Sequence, residues 1–290
     1  NLTFVDINTY NYNAFNMERE LKNKVIVITG GAGGIGYEIC DKYLEEGAKT
    51  VIIIDIDETR GEQVRTKLTA KHGEKIIFIP GDVVTDLEKI FKIIVDSVKT
   101  VDVLVQAAGI SDVSKPKRMV DIHLAAVIDW CLKFEEIMRT DRGNGIGGTM
   151  VLISSVFGFR LIPFMTVYQA TKFGVLGFAE SMGHSRNYKK TGIRVVALCP
   201  GFTETNLSLP LLNPKFQESL KQDFIAYINE QVWQKAILNI HMPFYIHTIS
   251  TVEILSVRQV RDYSLANRIL YSQPYSDILY GELNVLNTVR

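Results

Sequence analysis

The sequence predicts an α/β fold, a doubly wound parallel sheet with helices on both faces, in a single domain. Its short runs rich in Val and Ile are apolar throughout, as expected of parallel strands that are buried on both faces. The segments between them, such as 35–46 and 120–138, are long enough for right-handed crossover helices. The predicted strands are 25–29, 50–55, 75–80, 101–106, 149–154 and 194–199.

Composition limits the possible partners. The 290 residues are 47% hydrophobic, and 32 basic residues balance 32 acidic ones. This length suits one sizeable core, and the charge balance gives no field that would attract nucleic acid or an anionic membrane. No apolar run reaches the ~18 residues of a membrane span, and residues 1–16 lack the pattern of a secretory signal. We expect a cytoplasmic protein without stable membrane insertion, which binds a small molecule and no nucleic acid.

The three cysteines bear on the redox compartment of the protein and on metal binding. Cys40, Cys131 and Cys199 lie in apolar segments and show no metal-ligand spacing. Buried, reduced thiols are expected, with no metal site. For the domain organisation, we expect an N-terminal extension over 1–20 and one dinucleotide-binding domain over 21–290.

A glycine-rich turn follows the first strand. The segment "TGGAGGIG", Thr29 to Gly36, leads into a helical stretch. Glycines let the backbone approach a pyrophosphate closely, and the helix then offers its N–H groups and the positive end of its dipole. The turn therefore predicts a Rossmann-like nucleotide site. Two registers remain open, Gly31-Gly33-Gly36 and Gly30-Gly34-Gly36.

Asp55 ends the second strand, nineteen residues beyond Gly36. A carboxylate there can accept hydrogen bonds from both adenosine-ribose hydroxyls and would repel a 2′-phosphate. Ile56 stands where a basic residue would be wanted for that phosphate. These residues favour NAD over NADP. A solvated aspartate at a strand end is the alternative.

Further along the chain, Tyr168 and Lys172 are four residues apart, on one face of a predicted helix. Alone, such a pair is far more often a surface feature than a catalytic one. The surrounding motifs decide between the two readings. In chain order they are "TGGAGGIG", "GDV" at 81–83, "QAAG" at 106–109, "ISS" at 153–155, "YQATK" at 168–172 and "CPGFTET" at 199–205.

On these motifs the chain resembles the short-chain dehydrogenase/reductase family over roughly residues 20 to 210. Within it, the chain is similar to the branch of NAD-dependent 15-hydroxyprostaglandin dehydrogenase and insect-type alcohol dehydrogenase. The resemblance implies NAD as cofactor, with Asp82 and Val83 beside the adenine and Thr205 near the nicotinamide carboxamide. The implied cofactor-binding residues are Gly30, Gly34, Ile35, Gly36, Asp55, Ile56, Asp82, Val83, Ala108, Gly109, Tyr168, Lys172, Pro200, Gly201, Phe202 and Thr205.

The resemblance also implies a catalytic group. Ser155 would hold the substrate oxygen, Tyr168 would act as general base, and Lys172 would grip the nicotinamide ribose. A free tyrosine is a poor base at neutral pH because its pKa is about 10. A positive charge about 5 Å away contributes roughly 3 kcal/mol at an effective dielectric near 20. We therefore expect Lys172 to lower the pKa of Tyr168.

His123 departs from the family pattern. It stands where the family has an asparagine whose backbone carbonyl helps to hold a water that relays protons to the lysine. That carbonyl survives any substitution, so the relay persists in one interpretation, with the imidazole itself able to take part. In the other interpretation the larger ring displaces the water and slows turnover.

The substrate side is less specific. We expect a substrate-covering region at about 203–230 and an atypical tail at about 241–290, in which 251–257 is the nearest strand-like run. Several apolar residues could line a lipophilic pocket or equally serve packing or a subunit contact. They are Phe157, Phe159, Leu161, Ile162, Phe164, Met165, Leu207, Leu209, Leu211, Leu212 and Phe216.

The expected function is hydride transfer between NAD and a lipophilic secondary or allylic alcohol or its ketone. The family also implies a homodimer, formed through helices at 115–138 and 166–186. The alternative is a catalytically impaired nucleotide-binding or storage protein on the same fold.

Overall fold

The computed structural model describes residues 21–160, 165–201, 203 and 205. In these parts of the chain the strands form one parallel sheet in the order β3-β2-β1-β4-β5-β6. The strands are β1 (Val25–Thr29), β2 (Thr50–Asp55), β3 (Ile76–Pro80), β4 (Val103–Gln106), β5 (Gly148–Ile153) and β6 (Ile193–Leu198). The predicted fold class is confirmed, and every predicted strand among the described residues is present.

The helices lie between the strands as predicted. They are α1 (Gly34–Glu45), α2 (Glu58–His72), α3 (Leu87–Ser97), α4 (Pro116–Val120), α5 (Ala126–Met138), α6 (Thr166–Met182) and α7 (Ser185–Thr191). One apolar cluster packs α1 and α2 against one face of the sheet. A second cluster packs α3, α5 and α6 against the other face. Alternate residues of each strand enter the two clusters, which is why the strands read as continuous apolar runs.

One predicted helix is interrupted. The segment 120–138 does not form a single helix, because the π-helical turn Asp121–Ala125 separates α4 from α5. The N–H of Ala126 donates to the carbonyl of Asp121, five residues back. Such a turn breaks the regular hydrogen-bond ladder and is often found at functional sites. His123 lies within this turn, and its side chain is buried.

Strand β4 begins two residues later than predicted. Asp102 precedes it and uses its carboxylate to accept hydrogen bonds from the backbone N–H of Val25 and from Lys24 Nζ, at 2.9 and 3.0 Å. This contact fixes the start of β4 beside β1. The order of the strands reverses between these two strands, and in such sheets ligands bind at the carboxyl edge near the reversal.

Within the described residues, none of the helices is both long and apolar enough to span a membrane.

Candidate active site

The glycine turn lies at the carboxyl end of β1. Gly30 and Gly34 have positive φ angles of 68° and 52°, which side chains rarely allow. A Cβ on Gly36 would overlap the carbonyl oxygen of Gly30, so the turn can close only around glycine. These demands fall on Gly30, Gly34 and Gly36 and favour that register over the alternative.

The turn presents the start of α1 to the carboxyl edge. Gly33 is the N-cap and provides no side chain to bond the first N–H groups of the helix, whose first turn holds no acidic residue. Free N–H groups and the positive end of the helix dipole suit a phosphate. Ile35 lies in this first turn and is half-buried. The Thr205 side chain lies across the turn, 3.3 Å from where a Cβ of Gly34 would be.

Asp55 is anchored beside this turn. Its carboxylate accepts hydrogen bonds from the N–H groups of Ala32 and Asp57, both at 3.1 Å. The contact with Ala32 joins the end of β2 to the glycine turn. Ile56, by contrast, is 67% exposed. A carboxylate held in this way differs from the freely solvated aspartate that was the alternative.

The "GDV" segment follows β3 and is held by contacts to both Asp82 and Val83. The N–H of Asp82 donates to the carboxylate of Asp86. The carboxylate of Asp82 accepts a hydrogen bond from Arg118 of α4. Val83 is buried, and its carbonyl accepts from the indole N–H of Trp130 at 2.8 Å. Asp82 and Val83 therefore form a fixed wall at the carboxyl edge. Nothing in the sequence signalled Arg118 or Trp130, because both come from the distant segment 116–138.

The end of β4 is tied to the end of β1. Thr29 Oγ1 donates to Gln106 Oε1 at 3.3 Å and accepts from the N–H of Ala108, also at 3.3 Å. Ala108 packs directly against Gly30. Thr29 and Gln106 thus join the two strand ends. Neither was predicted to have a role, although both lie inside the quoted motifs.

Ser155 follows β5 and begins a short 3-10 turn. Its Oγ accepts a hydrogen bond from the N–H of Phe157 at 3.2 Å. The N–H of Val156 donates to the carbonyl of Pro200 at 3.0 Å, which links this turn to the segment after β6. A hydrogen bond joins the Ser155 and Tyr168 side chains. Among the described residues, none lies within 4 Å of where a Cβ of Gly201 would be, and Phe202 is not one of those residues.

Lys172 lies one turn beyond Tyr168 on α6 and points to the same edge. Its Nζ donates to the carbonyl of Ile153 at 2.8 Å and lies 5.5 Å from the centroid of the Tyr168 ring. Ser154 Oγ donates to the Lys172 carbonyl at 2.9 Å. The structure thus brings together Ser155, Tyr168 and Lys172, three of the four residues predicted to be catalytic, of which His123 is the fourth.

The electrostatics of this group differ from the prediction. Lys172 is only 5% exposed, and burial lowers its pKa to about 8. Burial raises the pKa of Tyr168, while its hydrogen bond with Ser155 opposes the rise. In the chain alone the pKa of Tyr168 therefore lies above its ordinary value, which is the opposite of the predicted direction. Burial removes the hydration that stabilises a charged phenolate, and the neighbouring groups do not compensate for this loss.

His123 lies against Tyr168. Its ring is 1% exposed and makes an edge-to-face contact with the phenol ring, with centroids 5.4 Å apart. Nε2 accepts a hydrogen bond from the N–H of Ile110 at 2.8 Å, so the proton of the neutral ring is on Nδ1. Burial and, second, the charge of Lys172 lower its pKa well below the usual value. Gly109 lies under Nε2, where a Cβ would approach it to 3.3 Å.

These contacts limit what His123 can do. Its accepting nitrogen is already used by Ile110, and Nδ1 has no hydrogen-bond partner among the described residues. The imidazole therefore ties the loop after β4 to the π-helical turn and cannot take up a proton without breaking that tie. The suggestion that the ring itself relays protons is not supported.

The predicted substrate-pocket residues are only partly described. Phe157 and Met165 are buried, and Phe159 packs against the core cluster of α3, α5 and α6. Among the described residues, no cluster of His, Cys, Asp or Glu could hold a metal ion. The remaining pocket candidates lie outside the described residues: Leu161, Ile162, Phe164, Leu207, Leu209, Leu211, Leu212 and Phe216. The predicted extension, most of the substrate-covering region and the tail also lie outside them, at 1–20, 206–230 and 241–290.

Comparison with known proteins points in one direction. A family model described as short chain dehydrogenase matches residues 24–214. Alcohol dehydrogenase 2 of Ceratitis cosyra is 31% identical over 189 residues, which are 64% of this chain and 72% of that protein. The 15-hydroxyprostaglandin dehydrogenase (NAD(+)) of Rattus norvegicus is 30% identical over 213 residues, 72% of this chain and 78% of that protein.

Solved structures share the fold. A short chain dehydrogenase/reductase from Burkholderia phymatum, in complex with NAD, aligns with a TM-score of 0.62 at 21% identity, over 72% of this chain and 80% of that one. The 3-ketoacyl-(acyl-carrier-protein) reductase from Brucella melitensis, complexed with NADH, aligns with a TM-score of 0.59 at 25% identity, over 64% and 79%.

Proposed function

This chain belongs to the short-chain dehydrogenase family, and from that premise we propose that it is an NAD-dependent oxidoreductase. It transfers hydride between nicotinamide and a lipophilic secondary or allylic alcohol, with Tyr168 as general base. The observation that carries the proposal is the meeting of Ser155, Tyr168 and Lys172 at the edge of the sheet that also holds the glycine turn.

The residues of the turn fit a dinucleotide. The uncapped start of α1 would hold the phosphates, and the anchored carboxylate of Asp55 would accept hydrogen bonds from the adenosine-ribose hydroxyls. Asp82 and Val83 would border the adenine, Ala108 and Gly109 would lie beside the adenosine ribose, and Pro200, Gly201 and Thr205 would lie on the nicotinamide side. When bound, oxidised nicotinamide supplies the hydride acceptor and a positive charge.

The chain's own residues handle the proton. Ser155 Oγ is oriented by the N–H of Phe157 and donates to the substrate oxygen. Tyr168 accepts the hydroxyl proton as the carbon loses its hydride, so that the alcohol becomes a ketone. Lys172 is charged below about pH 8, and its bond to Ile153 holds that charge near the phenol. Because burial raises the pKa of Tyr168, the added positive charge of the cofactor is needed to bring it back toward working pH.

A substrate screen tests this function. Purified protein is mixed with NAD and a panel of lipophilic secondary and allylic alcohols near pH 8, where Lys172 keeps much of its charge, and NADH is followed by its absorbance. The expected result is alcohol-dependent NADH formation. Binding of NADH without turnover on any alcohol or ketone of the panel would favour the impaired, nucleotide-binding alternative.

Asp55 sets the cofactor preference in this proposal. Asp55→Asn removes the charge that repels a 2′-phosphate but keeps one acceptor oxygen for the turn. At about 5 Å and an effective dielectric near 20 the repulsion is roughly 3 kcal/mol, so we expect NADPH to bind ~10 to 100 times more tightly. Calorimetric titration with NADPH and NADH measures the change. Asp96→Asn, which removes an exposed carboxylate on α3, is the control and leaves the preference as it was.

His123 gives a prediction that separates its two interpretations. Asn keeps the backbone carbonyl that would hold the relay water, although it is too short to replace the ring nitrogen that accepts from the N–H of Ile110. His123→Asn is therefore expected to change turnover by less than about threefold. His123→Leu leaves that buried N–H unpaired and is expected to lower the free energy of unfolding by about 1 to 3 kcal/mol. Urea unfolding and steady-state rates measure the two effects. A tenfold or greater gain in turnover for His123→Asn would show instead that the imidazole obstructs the relay.

We also propose a cytoplasmic homodimer. The thiols of Cys40, Cys131 and Cys199 are buried and unpaired, as is usual in reducing compartments. Leu132 of α5 is 49% exposed and Phe173 of α6 is 42% exposed, which gives the two helices of the family's dimer contact an apolar surface. Light scattering on the purified protein tests the dimer, because it should report twice the 32.7 kDa chain mass.

A further inference from the structure

The guanidinium group of Arg60 lies flat against the glycine turn. A Cβ added to Gly33 would be 2.5 Å from Nη2, 2.7 Å from Cζ and 3.2 Å from Nε of Arg60. Three atoms of one planar group at such distances mean that the group covers the backbone of Gly33, the N-cap of α1. Any side chain at position 33 would displace it. Arg60 thus brings a positive charge to the turn from another helix.

The end of β2 determines where Arg60 lies. Asp55 accepts a hydrogen bond from the N–H of Asp57, and Asp57 in turn caps α2 by accepting from the N–H of Arg60 at 3.0 Å. The other carboxylate oxygen of Asp55 holds the N–H of Ala32. One short segment therefore places a fixed carboxylate and a guanidinium on the same glycine turn.

From this geometry we propose that Arg60 binds a phosphate ester of the cofactor's adenosine half. The inference rests on the proposed function, since it assigns a new residue to the dinucleotide site. Guanidinium is permanently charged and presents a fork of donors that matches phosphate oxygens. It acts at the same place as the free N–H groups of α1. Sequence position gave no hint of it, because the residue next to Asp55 is Ile56.

Two phosphates could meet this group. One is the 5′-phosphate of the adenosine, which belongs to every dinucleotide, and the other is the 2′-phosphate that distinguishes NADP. If Arg60 contacts the 2′-phosphate, it partly offsets the repulsion by Asp55 and makes the protein less selective than Ile56 suggests. Measuring the binding of nucleotide fragments distinguishes a contact with the 5′-phosphate from one with the 2′-phosphate.

The experiment measures dissociation constants by calorimetry for NADH, adenosine, 5′-AMP and 2′,5′-ADP. For Arg60→Met we expect the affinity for NADH and 5′-AMP to fall about 10-fold or more, as for loss of a charge-assisted hydrogen bond, with adenosine within twofold. A loss confined to 2′,5′-ADP assigns the contact to the 2′-phosphate. The control is Arg65→Met, on the same helix but paired with Glu62 at the surface, which leaves all four constants unchanged.

A second variant guards against misfolding. Arg60→Lys keeps the charge but loses the fork, so an intermediate loss is expected, with the melting temperature unchanged. The salt dependence of NADH binding should be smaller in Arg60→Met than in the wild type. Arg60 variants that bind every fragment like the wild type, or that weaken adenosine as much as 5′-AMP, would overturn the inference. Wild-type protein that binds neither NADH nor 5′-AMP would overturn the proposed function as well.

Discussion

Replacing Tyr168 with phenylalanine is expected to lower turnover by a factor of about 10³ or more and to leave NADH binding within twofold. Phenylalanine keeps the ring that packs edge-to-face on His123 and removes only the hydroxyl that takes the proton. General base catalysis contributes typically 10² to 10⁴ in rate. The expected loss therefore lies in the chemical step and not in folding or cofactor affinity.

Initial rates and calorimetric titration with NADH measure the two quantities. Ser155→Ala serves as a comparison, because it removes one donor to the substrate oxygen and should lower turnover by about 10² to 10³. Tyr188→Phe, on α7 away from the group, is the matched control for the loss of a hydroxyl and should retain full activity. A Tyr168→Phe protein with more than a tenth of the wild-type rate would remove this residue from the role of base.

Lys172→Met is expected to make the protein less active and more stable at the same time. Burial lowers the pKa of Lys172 from 10.5 to about 8, so the charged form is less favourable in the folded state than in the unfolded one. That difference corresponds to about 3 kcal/mol at neutral pH. The carbonyl of Ile153 loses its partner in the variant, which offsets part of the gain. We expect a net stabilisation of about 1 to 2 kcal/mol at pH 7.

The sign and the pH window follow from proton binding. Below about pH 8 both states of the wild type hold the proton, and the full penalty is present. Between about 8 and 10.5 the unfolded state binds a proton that the folded state does not, so the stability of the wild type rises with pH. The advantage of Lys172→Met should therefore fade across this window.

Urea unfolding at pH 7, 8, 9 and 10 measures this trend. Replacement of the exposed Lys117 by methionine is the control and should change the free energy of unfolding by less than about 0.5 kcal/mol. Turnover of Lys172→Met should fall by about 10² or more, because the charge that supports the phenolate is gone. Two results would contradict this account of Lys172. One is a variant that is less stable than the wild type at pH 7, and the other is a difference in free energy of unfolding that is the same at every pH.

The sequence was sufficient for the sheet and for the residues that chemistry demands. Continuous apolar runs predicted the positions of β1 to β6, because strands that are buried on both faces carry apolar side chains at successive positions. Family spacing located Ser155, Tyr168 and Lys172, and the structure brings them together. What the sequence could not give was the degree of burial. The pKa of Tyr168 was predicted in the wrong direction because hydration lost by a phenol cannot be read from neighbours along the chain.

Contacts between distant segments were equally hidden. No periodicity marks the π-helical turn at 121–125, and the tautomer of His123 depends on the N–H of Ile110. Arg60 reaches the glycine turn because Asp57 caps α2, and Arg118 reaches Asp82 from α4. Each of these charges lies in sequence where it would be assigned to a solvated helix surface. Their placement is a property of the fold and not of a motif.

Transfer of deuterium to the cofactor tests the central claim most directly. The most active alcohol of the screen, deuterated at its carbinol carbon, is incubated with NAD and protein, and the NADH is analysed by mass spectrometry. The wild type should yield NADH carrying one deuterium, and Tyr168→Phe should yield almost none in the same time. Deuterated NADH formed equally by both proteins, or by neither while both bind NADH, would contradict the assignment of Tyr168 as the base of a working dehydrogenase.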